Sequence, residues 1–319
     1  MKPLFFLIVG WLCGSVAYAQ GNDTAMRVHD PVIAKCGNTY YLFTTGRGIA
    51  VWSSPDLRQW RRERPVFADP PEWTLAAVPG FKGHFWAPDI SYHDGQYYLY
   101  YSVSAFGKNT SCIGLATNMT LDPADPRYRW VDRGKVIQSY PGVTDWNAID
   151  PNLVEDDTGQ AYLAFGSFWG GLKIARLAAD RLKVSGDTLR LVTIASRKTD
   201  PNPIEAPFIF KKSGYYYLFA SIDYCCKGVE STYKMIVGRS RQVTGPYLDD
   251  TGKDLAEGGG KLLLAGDDRW MGVGHNAVYT FDGVDYLIFH GYDGQDNGMP
   301  KLRVEILEWN TAGWPELED

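Results

Sequence analysis

Three carboxyl side chains that lie far apart in the sequence stand in similar surroundings. Asp30 and Asp150 each precede a proline, in HDP and NAIDP, and Glu205 lies two residues before Pro207 in IEAPF. If folding gathers these groups in one cavity, like charges raise the pKa of at least one acid. A protonated acid facing an ionised carboxylate is the pair that hydrolysis of a glycosidic bond needs. The alternative is that each aspartate caps a turn beside its proline.

A repeat along the chain gives a reason to expect that these residues meet. Five segments share a polar residue, a proline or asparagine, an alternating apolar stretch, a glycine and a tyrosine-rich stretch. The aligned residues, at spacings of 57, 63, 56 and 69, are Pro31, Pro88, Pro151, Pro207 and Asn276. The glycines that follow are Gly37, Gly95, Gly159, Gly214 and Gly283. Each segment therefore predicts a β-hairpin.

Further strand-like runs follow each hairpin, so that each unit has four strands. Four strands repeated five times predict an all-β fold, a five-bladed β-propeller, because no blade can bury its apolar faces alone. A β-sandwich would lack a period near 60 residues, and a parallel β-helix would show a much shorter one. The absence of long helix-period stretches argues against an α/β barrel.

The first strand of each propeller blade lines the central axis, so equivalent positions converge there. The residues before the aligned positions are Asp30, Ala87, Asp150, Ala206 and His275. Glu205 is one step out of register with the aspartates, and regular strand alternation would turn its side chain away from the axis. We therefore expect an irregular entry to that strand.

The motif set as a whole resembles the arabinanases of glycoside hydrolase family 43. It comprises HDP at 29–31, FWAPD at 85–89, NAIDP at 147–151, IEAPF at 204–208 and GHNAV at 274–278. The similarity covers nearly the whole mature chain, and SIDYCCKG from Ser221 is similar to a segment of endo-acting 1,5-α-L-arabinanases. The resemblance implies an inverting hydrolase of arabinan that cuts inside the polymer. The alternatives are an exo-acting α-L-arabinofuranosidase or β-xylosidase, and a non-catalytic sugar-binding propeller.

The resemblance also implies a role for each axial side chain. Asp30 would be the general base, Glu205 the general acid, and Asp150 would orient Glu205 and keep its pKa raised. His275 matches an axial histidine associated with a bound ion, usually calcium with water ligands, although imidazole is an unusual ligand for calcium.

Several further residues are candidates for sugar binding. Trp86 is the first, because the repeat places it at the axis. The others match segments that line the family's groove, and they are Phe106, Asn147, Ser167 and Trp169. For Phe106 and Trp169 the alternative is packing within a blade. Asp89 could contact substrate or brace the blades.

The N-terminus predicts export. Lys2, an apolar run over residues 4–13 and an A-x-A pattern ending at Ala19 are typical of a secretory signal peptide over residues 1–19. Residues 20–319 would then form a single catalytic domain, secreted or periplasmic and without a membrane span. We expect a monomer acting on arabinan, as in pectin side chains. The formal net charge of −5 argues against nucleic acid as a partner.

Four cysteines follow the predicted signal peptide, at positions 36, 112, 225 and 226. They have no C-x-x-C spacing, which argues against a zinc site. Export permits disulfides, but the sequence does not assign their pairing, and a bond between adjacent cysteines would be unusual.

Overall fold

The computed structural model describes residues 26–318, which form five antiparallel sheets in sequence order, four with four strands and one with five. Blade 1 contains β1 (Val32–Cys36), β2 (Thr39–Thr44), β4 (Ala50–Ser54) and β5 (Arg61–Arg62), while the short β3 (Gly46–Arg47) joins the next blade. Blade 2 contains β6 (His84–His93), β7 (Gln96–Val103), β8 (Ser111–Asn118) and β9 (Val131–Ser139). Blade 3 contains β10 (Asn152–Glu155), β11 (Ala161–Phe165), β12 (Leu172–Arg176) and β13 (Val192–Ala195).

The last two blades follow the same plan. Blade 4 contains β14 (Ile204–Lys212), β15 (Tyr215–Ile222), β16 (Lys234–Ser240) and β17 (Lys261–Leu264). Blade 5 contains β18 (Trp270–Phe281), β19 (Val284–Asp293), β20 (Met299–Trp309) and β21 (Pro315–Leu317). Helical structure is confined, in the described part of the chain, to α1 (Glu72–Ala77) and three 3₁₀ turns at Gly228–Glu230, Leu255–Glu257 and Gly294–Asp296. None of these helices is long and apolar enough to cross a membrane.

The five sheets close into a ring through their first strands. Strand β1 contacts β6, β6 contacts β10, β10 contacts β14, β14 contacts β18, and β18 contacts β1. The segment before β1 also joins blade 5, because Val28 N–H donates to Pro300 O (3.1 Å) and Leu302 N–H donates to Met26 O (3.1 Å). The prediction of a five-bladed propeller is confirmed. The predicted signal peptide lies outside the described residues.

The glycine at each hairpin turn has a conformational reason. Gly37 and Gly95 adopt φ values of 59° and 76°. A Cβ at either position would meet nothing within 4 Å. The left-handed backbone, rather than crowding, therefore requires glycine there.

The axial end of each blade is tied to the preceding blade by one repeated hydrogen bond. The five residues before the aligned positions all have positive φ, between 40° and 57°. At four of them the backbone N–H donates to a side chain of the preceding blade. These bonds are Ala87 N to Thr45 Oγ1 (2.8 Å), Asp150 N to Ser102 Oγ (2.9 Å), His275 N to Ser221 Oγ (2.8 Å) and Asp30 N to His290 Nδ1 (3.2 Å).

The fifth junction, between blades 3 and 4, is different. Gly166 stands at the position of the repeat that Thr45 occupies in blade 1. The N–H of Gly166 donates to Ile149 O, just as the N–H of Thr45 donates to His29 O. Glycine has no group to offer, and the N–H of Ala206 donates instead to Asp150 Oδ2 (3.1 Å).

The irregular strand entry expected at Glu205 is present. Glu205 pairs with Ser221, but the register then shifts, and regular pairing resumes only at Phe208 with Phe219. Ala206 between them adopts φ 54°. This bulge turns the Glu205 side chain toward the axis despite its offset from the aspartates.

Candidate functional site

One cavity of about 1100 Å³ opens where the first strands of the five blades begin. Every site residue predicted from the sequence lines it, and each blade contributes to its wall. These residues are Asp30, Trp86, Phe106, Asn147, Asp150, Ser167, Trp169, Glu205 and His275.

Asp30 is a buried carboxylate surrounded by donors. Its Oδ1 lies 2.8 Å from His29 Nδ1 and 3.1 Å from His275 Nδ1, and its Oδ2 accepts a short hydrogen bond from Thr45 Oγ1. Burial acts to raise the pKa of Asp30, but His275, His29 and His290 outweigh it and hold this pKa well below its ordinary value. Asp30 is therefore ionised at neutral pH.

The histidines around Asp30 form a network with a defined direction. His290 Nδ1 accepts the N–H of Asp30, so the proton of a neutral His290 is on Nε2, which lies 3.3 Å from Tyr292 Oη. Tyr292 Oη lies 2.7 Å from His29 Nε2. Burial acts to lower the pKa of His29, but Asp30 outweighs it and raises this pKa. His29 Nδ1–H donates to Asp30 in both protonation states, and when His29 is neutral Tyr292 donates to its Nε2. The hydroxyl of Tyr292 thus sets the orientation of the imidazole that holds the carboxylate.

The pKa values of Glu205 and Asp150 are shifted upward, opposite to that of Asp30. Burial raises the pKa of Glu205, although Tyr233 Oη donates to its Oε1 (2.8 Å) and Ser167 Oγ donates to its Oε2 (2.8 Å). Burial, then the negative charges of Glu205 and Asp30, raise the pKa of Asp150 well above its ordinary value. The cavity thus combines one ionised carboxylate with two carboxyl groups that hold protons more tightly than usual.

The aromatic residues differ in how far they reach into solvent. Phe106 is 81% exposed and Trp169 is 41% exposed, so neither is packed inside a blade. Trp86 is half-buried in the cavity wall. These three rings offer flat apolar faces to a ligand in the cavity.

The two polar residues predicted to bind sugar are engaged with protein groups. Asn147 is buried, and its Oδ1 accepts a hydrogen bond from Ser139 Oγ (3.4 Å). Ser167 is also buried, and its hydroxyl donates to Glu205. In this structure Ser167 therefore holds the candidate acid rather than presenting a free hydroxyl to the cavity.

The loop that carries Trp169 has an unusual backbone. Phe168 and Trp169 are consecutive residues with positive φ, 55° and 41°. Phe168 N–H donates to Ile204 O (2.9 Å), and Asn202 Nδ2 donates to Trp169 O (3.0 Å). Such conformations persist only where neighbours hold them, so the backbone that carries Trp169 is restrained at the cavity wall.

Asp89, for which the sequence left two roles open, is a brace. Its Oδ1 accepts from Asn152 Nδ2 (3.1 Å) and its Oδ2 from Leu153 N–H (2.8 Å), which ties blade 2 to blade 3. It does not line the cavity. Burial raises the pKa of Asp89 to about 7.

Sequence reasoning missed several groups of the site. His29 belongs to the HDP motif and Tyr233 follows the SIDYCCKG segment by five residues, yet no role was predicted for them. The hydroxyl of Thr45 and the imidazole of His290 occupy the same position of the repeat as Ser102 and Ser221. Alignment of the second strands would have drawn attention to these positions.

The cysteine pairing left open by the sequence is resolved. Cys225 and Cys226 form a disulfide with each other, while Cys36 and Cys112 are free thiols. The disulfide lies in the loop after β15 and lines the same cavity as the acids.

The axial side chains fit a calcium ion poorly. His29, Asp30 and His290 have ligand atoms within 4.8 Å of one another, and His275 adjoins Asp30. Three of these four side chains are imidazoles, whereas calcium prefers a shell of oxygen atoms. A calcium ion beside His275 would have to be held mainly by water.

Comparison with known proteins identifies close relatives. Residues 24–315 match the family described as glycosyl hydrolases family 43. The chain is 49% identical, over 97% of its length and 90% of the relative's, to the extracellular exo-α-(1→5)-L-arabinofuranosidase ArbA of Cellvibrio japonicus. It is 43% identical to the extracellular endo-α-(1→5)-L-arabinanase 1 of Bacillus subtilis, with 90% and 87% of the two chains covered. The solved structure of Cellvibrio cellulosa α-L-arabinanase with arabinohexaose superposes with a TM-score of 0.88 at 51% identity, covering 92% and 96%.

Proposed function

The chain belongs to glycosyl hydrolases family 43, and we propose that it hydrolyses the α-1,5-L-arabinofuranosyl linkages of arabinan with inversion. It is a glycoside hydrolase, and its relatives are named for arabinan or arabinofuranosyl substrates. One observation carries the proposal for the site. Carboxyl groups facing a single cavity have pKa values shifted in opposite directions, down for Asp30 and up for Glu205.

The proposed reaction needs one group that accepts a proton from water and one group that donates a proton to the leaving oxygen. Asp30, ionised and held by its donors, accepts a proton from the water that attacks the anomeric carbon. Glu205 donates its proton to the departing glycosidic oxygen as the carbon–oxygen bond breaks. Asp150 anchors the backbone next to Glu205, while burial and the charge of Asp30 disfavour ionisation of Glu205. The products are two shorter sugars, one with an inverted anomeric centre.

The rings of Trp86, Phe106 and Trp169 would hold the sugars in the cavity. Furanose rings have apolar C–H faces, and aromatic side chains are suited to cover them. Replacing one of these aromatic residues by alanine should therefore weaken substrate binding and leave the acidic residues in place.

The mode of attack has two candidates. The sequence motifs favour internal cleavage, whereas the 49% identity to a relative named as an exo-enzyme favours release from chain ends. Purified protein on linear arabinan distinguishes them, since early oligosaccharides of mixed length indicate internal cleavage and one short product indicates end-wise release. Proton NMR of the first product tests inversion. Absence of arabinan hydrolysis would refute the proposal.

Two further expectations belong with this proposal. Both relatives above are named as extracellular, which supports secretion. A calcium ion near His275, mostly hydrated, stays a separate proposal that elemental analysis of the purified protein tests. No step of the reaction described above depends on it.

A further inference from the structure

The Cys225–Cys226 disulfide stands at the catalytic cavity rather than in the core. Cys226 is exposed and Cys225 half-buried, and both line the cavity together with their neighbours Tyr224 and Lys227. A disulfide between adjacent residues closes a small ring through their shared peptide bond. Such a ring has few conformations and presents two apolar sulfur atoms and two methylene groups at a fixed place.

This ring is fastened directly to the network that holds Asp30. The N–H of Cys226 donates to Tyr292 Oη (2.8 Å), the same hydroxyl that contacts His29 Nε2. Cys226 has φ 65°, a left-handed conformation that a non-glycine residue adopts only when held there. The disulfide thus has a defined position relative to the ionised carboxylate.

The rest of the loop is also held on the cavity wall. Ser231 Oγ donates to Tyr224 O (2.9 Å), and Thr232 N–H donates to the same carbonyl (3.1 Å). The Tyr224 ring lies 6.1 Å from the Phe168 ring, beside Trp169 on the opposite loop. Aromatic rings therefore lead from the loop of Trp169 toward the disulfide, with Lys227 Nζ 4.3 Å from the centre of the Tyr224 ring.

We propose that the Cys225–Cys226 disulfide, positioned by Tyr292, is the wall of a sugar subsite and contacts the apolar C–H face of an arabinofuranosyl unit bound next to Asp30. This inference rests on the proposed function for the identity of the sugar. Its contribution is to substrate binding, because the disulfide carries no group that gains or loses a proton in the reaction. Opening the ring frees the loop backbone and removes the surface.

The test compares oxidised and reduced enzyme on linear arabinotriose, beside a Cys225→Ser/Cys226→Ser variant. Reduction with a phosphine is expected to raise KM about fivefold to tenfold while kcat changes less than about twofold, the signature of lost ground-state binding. The double variant should have the KM of the reduced enzyme, and adding the reductant should not change that KM. A Glu230→Gln variant, altered in the same loop outside the cavity lining, serves as the matched control and should behave as wild type.

Three outcomes would overturn the inference. They are an unchanged KM after reduction, a loss confined to kcat, and a response to reductant in the double variant, which would implicate Cys36 or Cys112. If the double variant does not fold, the reduced wild type, with its fold checked by circular dichroism, carries the test. Inactivity of the oxidised wild type would instead count against the proposed function. Calorimetric binding of arabinotriose to Glu205→Gln, oxidised and reduced, then tests the subsite without turnover.

Discussion

Asp150 Oδ2 accepts the backbone N–H of Ala206 at 3.1 Å, and thereby holds the residue that follows Glu205. At the other four blade junctions a Thr, Ser or His side chain of the preceding blade performs this task. Here Gly166 leaves the position empty, and an axial residue fills it. The bulge that aims Glu205 into the cavity therefore depends on a carboxyl group that also faces the cavity.

This double duty of Asp150 is separable by mutation. Asp150→Asn keeps an oxygen for Ala206 N–H but removes the titratable proton of Asp150. Burial and the charge of Asp30 raise the pKa of Glu205, and Asp150 itself holds its proton, so the alkaline limb of the kcat/KM profile should stay at the same pH in this variant. Asp150→Ala also leaves the Ala206 N–H unsatisfied and should lower kcat further. An alkaline limb that moves to lower pH in Asp150→Asn would show instead that a negative charge on Asp150 holds up the pKa of Glu205.

The role of Glu205 as the general acid can be tested by comparing substrates whose leaving groups differ in their need for a proton. Glu205→Gln should lower arabinan turnover by about 10²–10⁴-fold, the usual contribution of a general acid. An aryl arabinofuranoside with a nitrophenolate leaving group needs little protonation and should lose much less. Asp30→Asn is the matched comparison, because loss of the base should affect both substrates alike. Equal losses for both substrates in Glu205→Gln would remove the acid assignment.

Thr45 is a positioning residue for the base. Its hydroxyl donates to Asp30 and accepts the N–H of Ala87, which follows Trp86. Thr45→Val keeps the shape but loses both bonds, so kcat should fall about tenfold. Thr45→Ser keeps the hydroxyl and should stay within about twofold of wild type. Equal kcat values for the two variants, with unchanged melting temperatures, would show that the hydroxyl has no part in the reaction.

The sequence predicted the ring of blades and the axial positions because both follow from a repeat. It indicated the bulge at Glu205 only indirectly, since the left-handed backbone at this position of every blade is not visible in the residue types that occupy it. The contacts of Asp30 with His275 and His290 join residues at opposite ends of the chain, and no local pattern encodes their distances. The Cys225–Cys226 bond depends on backbone angles that neither cysteine specifies by itself.

The brace at Asp89 predicts an unusual dependence of stability on pH. Its pKa is about 7 in the folded protein because of burial, against an ordinary value of 3.8. A raised folded pKa gives stability that is complete below about pH 4 and is lost as the pH rises through 7. The shift corresponds to roughly 4 kcal/mol of unfolding free energy at most.

Asp89→Asn cannot titrate, so this part of the pH dependence should vanish. Asparagine has one acceptor oxygen for two donors, Asn152 Nδ2 and Leu153 N–H, so the variant should be less stable than wild type at pH 5. Between pH 5 and 8 the wild type should lose more stability than the variant, and the two melting curves should converge. Thermal melts at intervals of one pH unit measure this difference. Parallel pH dependences in the two proteins would show that Asp89 is ionised throughout and braces the blades as a carboxylate.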